Sequence, residues 1–185
     1  MTSRIARTLG VCLALSVAVP VIAVAANPKV GGAAMYASKT IVQNASAASN
    51  LTTLVAAVKA AGLVETLSGP GPFTVFAPTN AAFSKLPAGT VTTLLKPENK
   101  AQLAGILTYH VVPGKITAKD ALAAIKAGGG KATLTTVQGE ALTARVTNGK
   151  IVLTDAKGGK STVTTADVMQ SNGVVHVVDS VLMPK

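Results

Sequence analysis

Hydrophobic positions recur along this chain with two different periods. Leu51, Leu54, Val55 and Val58 fall at i, i+3, i+4 and i+7, which places four aliphatic side chains on one stripe of a helix that Asn50 is placed to cap and Gly62 to end. Gly69-Pro70-Gly71-Pro72 interrupts any regular element. Phe73-Thr74-Val75-Phe76-Ala77 then predicts a short buried strand, stopped by Pro78. Ala81 to Leu86, Thr90 to Leu95 and Glu98 to Leu107 predict three short helices, punctuated by Pro87 and by Pro97 at a helix start. Thr117 with Asp120 three residues on is a capping signal for a helix through Ala121 to Ile125, which Gly128-Gly129-Gly130 stops.

Beyond that point the period changes from 3.6 to 2. Leu142, Ala144 and Val146 alternate with Thr143, Arg145 and Thr147, and Asn148-Gly149 supplies the two positive-φ residues of a type I′ hairpin turn. A two-residue loop fixes the register: Val146 faces Ile151 and Ala144 faces Leu153 on one side, with Arg145 across from Val152 on the other. Further strands are expected around Lys131–Thr136, Ser161–Thr165 and Val174–Leu182. A helical half followed by a β-rich half, without βαβ alternation, predicts an α+β fold with an antiparallel sheet.

The 185 residues fit one domain, and a composition 49% hydrophobic but only 3% aromatic predicts an aliphatic core. Arg4 and Arg7 precede an apolar run, Leu9–Val19, broken at Pro20. This reads as a signal peptide over residues 1–26, cleaved near Ala25 or Ala26 where small residues suit a signal peptidase. An uncleaved membrane anchor is the competing reading; Pro20 and the small-residue end favour removal. Cys12 lies inside the segment, so the expected product, secreted or periplasmic, has no thiol. Gly/Ala-rich residues 27–39 predict a flexible leader, and 40–185 the folded domain. Net charge is +10; removing the first 26 residues leaves fifteen cations against seven carboxylates, a net +8.

The chain offers little for catalysis. His110 and His176 are its two histidines, each inside an apolar run without metal-ligand spacing, so no metal is expected and a hydrogen-bonded structural role is. His176 and Ser180 would share a strand face while Asp179 points away, no G-x-S-x-G or S-x-x-K occurs, and no cofactor motif is present. Thr154 to Ser161 ends in Gly-Lys-Ser but lacks the first glycine and the helix of a phosphate loop. With Arg145 the single arginine beyond the first segment and no tryptophan, a nucleic-acid partner is not expected; the lysines allow salt-screened attraction to acidic polysaccharide or another anionic surface. The sequons at Asn44 and Asn50 matter only in a glycosylating host, and Asn50 already has its capping role.

Three runs carry a family resemblance: Thr74-Val75-Phe76-Ala77-Pro78-Thr79-Asn80-Ala81-Ala82-Phe83, Tyr109-His110-Val111-Val112-Pro113-Gly114, and Asn172-Gly173-Val174-Val175-His176-Val177-Val178-Asp179-Ser180-Val181-Leu182-Met183-Pro184. In order and spacing they resemble the fasciclin (FAS1) domain, in the manner of its single-domain exported bacterial members, across about Thr40 to Lys185. Asn80 departs from the Asp common at that position, and Val175 and Val178 from Ile. The resemblance implies a β-sandwich or wedge of about seven mostly antiparallel strands with short helices along one side. It marks Thr74, Phe76, Pro78, Asn80, Phe83, Asn172, Gly173, His176 and Asp179 as structural motif positions. It also implies a non-enzymatic adhesion role toward protein or polysaccharide, and singles out Tyr109 and His110, whose motif is implicated in integrin binding in animal relatives. Strand alternation would place Tyr109 and Val111 on one face and His110 and Val112 on the other, burying at least one pair, so core packing is the favoured role and only part of the motif could reach a partner. A small hydrolase, or a carrier of an apolar ligand in a pocket formed by folding, is the alternative.

Overall fold

A computed structural model describes residues 27–87 and 89–185; the expected signal peptide, 1–26, lies outside them. The described chain opens with a small hairpin, β1 (Lys29–Val30) against β2 (Ala33–Ala34). Residues 27–39 are therefore not the loose leader expected. Gly31 and Gly32 take the positive φ of the turn, and Val30 and Met35 are buried in the helical core. Two isolated apolar anchors have no period, so pattern alone does not reveal them.

Helices α1 (Ile41–Ala47), α2 (Thr52–Ala61) and α3 (Val64–Ser68) lead into β3 (Phe73–Pro78). Then come α4 (Asn80–Ser84), α5 (Thr90–Leu94), a 3₁₀ turn at Pro97–Asn99, α6 (Lys100–Tyr109), β4 (Val111–Pro113) and α7 (Ala118–Ala127). The β half contains β5 (Lys131–Thr135), β6 (Ala141–Thr147), β7 (Lys150–Thr154), β8 (Lys160–Gln170) and β9 (Gly173–Val178). Thr117 and Asp120 form the expected capping box on α7, and Gly62 ends α2 in the left-handed conformation. Asn50 does not cap α2. Its side chain makes no such bond, and the Oδ1 of Asn80, brought in by α4, accepts the Thr53 amide at 3.0 Å instead.

The seven strands run β4-β3-β9-β8-β7-β6-β5, antiparallel except for β3 beside β9. The sheet is thus mostly antiparallel, as the resemblance implies; the parallel pair, which local pattern does not predict, arises because the closing strand returns beside β3 through the whole intervening chain instead of through a hairpin. Both members are covered on both sides. Val75, Ala77, Val175 and Val177 face the helices, while Phe76 and Val178 face the opposing half of the sheet. A strand buried on two faces reads as an unbroken apolar run, as Gly173–Val178 does. Each fully buried valine there contributes roughly 1.5–3 kcal/mol.

Strand β8 makes the two halves one sheet. Its start pairs with β7 and its remainder with β9, with register shifts at Val163/Thr165 and Thr165/Val168. Such irregularities bend a strand, so the β5–β8 half folds over the β3–β9 half around Tyr109, Leu142, Leu153 and Leu182. The Val137 amide donates to the Val111 carbonyl at 2.8 Å, tying β4 to the β5–β6 turn on the far side. The Asn148-Gly149 hairpin has the expected register, with both residues at positive φ. Ala144 and Leu153 are buried, but Val146 is 44% exposed because the hairpin tip runs past the edge of the core. The closing strand ends at Val178 rather than Leu182; the last residues leave the sheet and return Leu182 to the interior.

Candidate binding surface

Both histidines and the tyrosine before the first are spent inside. Tyr109 is 0% and His110 2% exposed, so neither side chain of the expected binding pair reaches a partner. Strand alternation does not apply to them, since Tyr109 is the last residue of α6 and His110 its C-cap. The Tyr109 hydroxyl donates to the Ala141 carbonyl and accepts the Ala156 amide at 3.0 Å. His110 Nδ1 lies 2.8 Å from the Ile106 carbonyl, which can only accept, and Nε2 lies 3.0 Å from the Leu182 amide, which can only donate. The ring is therefore the neutral Nδ1–H tautomer, and burial pushes its pKa down to about 4.

His176 is fixed in the opposite tautomer. Its Nε2–H donates to the Ile116 carbonyl at 2.8 Å, and its Nδ1 accepts the Asp167 amide at 3.2 Å. Burial lowers its pKa too. The ring stacks on Phe76, its partner across the parallel strands, at 5.6 Å between centroids. Ser180 donates to Asp179 and neither contacts His176, which leaves no relay.

The remaining motif positions are latches. The Thr74 hydroxyl donates to the Gly114 carbonyl and accepts the Ile116 amide. Pro78 and Phe83 are buried. The Nδ2 of Asn80 donates to the Ser49 carbonyl and the Thr52 hydroxyl. Asn172 Oδ1 accepts the Ile41 amide, while its Nδ2 donates to the carbonyls of Leu67 and Gly69. Gly173 is needed for closeness: a methyl group there would lie 2.0 Å from the Phe73 carbonyl oxygen. Asp179 accepts the Thr162 amide and sits 3.6 Å from the Lys85 ammonium; burial alone would raise its pKa, but these partners pull it below the usual value.

Sequence reasoning missed Asp155, Asp167 and Asn44. Buried Asp155 accepts amides of Lys157, Gly159 and Met183, so the loop ending in Gly-Lys-Ser turns its N–H groups onto its own carboxylate. An Asp two residues before Lys and three before Gly-Gly is an Asx-turn signature that could have found it. Asp167, at φ 56, accepts the first amide of α7, Ala118, at 2.6 Å. Asn44, 1% exposed, bonds Tyr36 and Gln170, which takes the first sequon out of reach of a glycan. No local signal marks either role.

The enclosed apolar voids are small. The one among Ile41, Leu54, Val58 and Leu107 holds about 30 Å³, room for one or two waters and far below an apolar ligand. Among the described residues, no His/Cys/Asp/Glu cluster is arranged to hold a metal ion, and no helix is long and apolar enough to cross a membrane. Among the described residues a wide groove of about 550 Å³, lined mostly by polar side chains, lies over the outer face of β6, β7 and β8. Registered rows cross it: Thr133, Thr143, Thr154 and Lys160, then Lys131, Arg145, Val152 and Thr162.

The fold defines a class, an α+β domain with a seven-stranded, mostly antiparallel sheet and short helices. The fasciclin domain profile matches residues 49–184, and the chain belongs to that family. Protein sll1483 of Synechocystis sp. is 55% identical over 155 residues, 84% of this chain and 79% of that protein. Immunogenic protein MPB70 of Mycobacterium bovis is 42% identical over 146 residues, 75% of this chain and 67% of that one. The solved FAS1 domain pair of the insect cell adhesion molecule Fasciclin I shares the fold, with a TM-score of 0.69 over 78% of this chain and 51% of that chain at 20% identity.

Proposed function

We propose that this protein is an exported, non-enzymatic binding module that attaches to polysaccharide or protein at a cell surface or in an extracellular matrix. One observation carries the reading: five of the seven carboxylates and both histidines are occupied in holding backbone. Asp120, Glu140, Asp155, Asp167 and Asp179 each accept a main-chain amide, and both imidazoles are held neutral between a donor and an acceptor. A hydrolase needs a free acid and base in a cleft, and a carrier needs a cavity. The fold shared with an insect cell adhesion molecule supports attachment as the role, and Arg4, Arg7 and the apolar run after them support export.

The test expresses the full chain in a secreting bacterial host. The exported form is weighed by mass spectrometry, then sedimented with isolated cell-wall and matrix fractions. A product beginning at Ala26 or Asn27 that co-sediments saturably is the expected result. A full-length form held in the membrane overturns export, and a product left wholly in the supernatant overturns attachment.

A further inference from the structure

We infer that the outer face of β5–β8 is a docking surface for an extended acidic polysaccharide, gripped by Arg145 and Lys160 across a bed of threonine hydroxyls. The inference rests on the attachment reading above and names its site and ligand class. Charge is the first argument. Strand pairing puts Lys131, Arg145, Lys150 and Lys160 on one side of the sheet, and β5, β6, β7 and the paired start of β8, Lys160–Thr162, contain no carboxylate. The nearest acid in sequence, Asp155, is buried with its oxygens turned to Lys157, Gly159 and Met183. Arg145 and Lys160 are two strands apart, about 10 Å in the hydrogen-bonding direction, so they offer separated cations to a polymer instead of one focused anion hole.

The second argument is the groove floor. Thr143, Thr147, Thr154 and Thr162 line it around the two cations. Each hydroxyl both donates and accepts, the pairing that sugar hydroxyls require, and a β-branched side chain on a strand is already restricted in χ1, so ordering it on binding costs little. The same lining disfavours other polyanions. It holds no aromatic ring on which a base could stack, and its one aliphatic member, half-buried Val152, offers nothing to insert into a bilayer.

Binding of the full purified protein to immobilised polygalacturonate is measured from low to high salt. Neutral dextran, duplex DNA and phosphatidylglycerol vesicles serve as comparators. Arg145→Gln/Lys160→Gln removes the grip. Lys59→Gln/Lys96→Gln removes the same charge from exposed positions on the helical side. The groove pair is expected to weaken binding at least tenfold and the control pair less than twofold, with melting temperatures unchanged in both. Thr143→Val/Thr154→Val, which keeps every charge, is expected to lose severalfold. Equal losses from the two lysine-reducing pairs, or DNA or vesicles bound as tightly as polygalacturonate, overturn the inference. Retention on cell-wall fractions by a groove variant as strong as the parent's overturns this site and leaves the attachment reading standing; polygalacturonate binding without retention on any fraction does the reverse.

Discussion

His110 Nε2 accepts the backbone amide of Leu182 at 3.0 Å, so the C-terminal end of α6 holds the last residues of the chain, 72 positions later, through one imidazole. Protonation of that nitrogen would set two donors against each other in a site that excludes water.

Stability should therefore depend on pH in a defined window. The folded pKa of His110, about 4, lies below its ordinary 6.5, so between those values the unfolded chain takes up a proton that the folded chain refuses. The contribution is full above pH 6.5 and is lost as pH falls toward 4, by about 3 kcal/mol in order of magnitude. His176, lowered in the same direction, adds to the slope. Urea unfolding at pH 7.5 and pH 5.5, where the unfolded chain's histidines are mostly protonated while the carboxylates are still ionised, measures the upper part of this loss; an unchanged midpoint would contradict the assignment.

Tyr109→Phe separates packing from recognition. The ring stays and the hydroxyl that joins Ala141 to Ala156 goes, leaving a half-buried amide without its acceptor at a cost of about 1–2 kcal/mol. Thermal unfolding should shift down by several degrees. Attachment per folded molecule should be unaltered, and its selective loss would restore Tyr109 as a contact residue.

Gly173→Ala tests the closeness of β3 and β9. With the new methyl 2.0 Å from the Phe73 oxygen, the parallel strands must separate, and overpacking of this kind costs about 3 kcal/mol. Denaturant titration reads the loss; a midpoint within error of the parent would mean the strands do not pair as described.

Asn80→Ala removes the distant cap of α2 and two further bonds to Ser49 and Thr52. A lost N-cap costs roughly 1–2 kcal/mol. Hydrogen exchange should accelerate at the first turn of α2 far more than in α6, and uniform acceleration would show that Asn80 serves something other than that helix end.

Asn172→Ala should be the most damaging of these polar truncations. It strands the Ile41 amide and the Leu67 and Gly69 carbonyls together, and buried unpaired groups cost about 1–3 kcal/mol each. Calorimetry on the variant checks it, and a small change would mean that water replaces the side chain.

Where neighbours in sequence are neighbours in space, local pattern was enough. The Asn148-Gly149 hairpin and its register, the Thr117–Asp120 cap and the Gly62 stop depend on φ preferences and side-chain reach within four residues, and each reads directly from the letters. The fasciclin-like runs were legible as text, though their duties were not. Tertiary structure decided those that join distant segments: that Asn80 rather than Asn50 caps α2, that Val30 and Met35 belong to the core, that Tyr109 and His110 face inward, and that four cations from four strands share one side of the sheet. Such outcomes turn on which backbone amides and charges the finished sheet brings within a few ångströms, and a one-dimensional spacing carries no information about contacts made across a hundred residues.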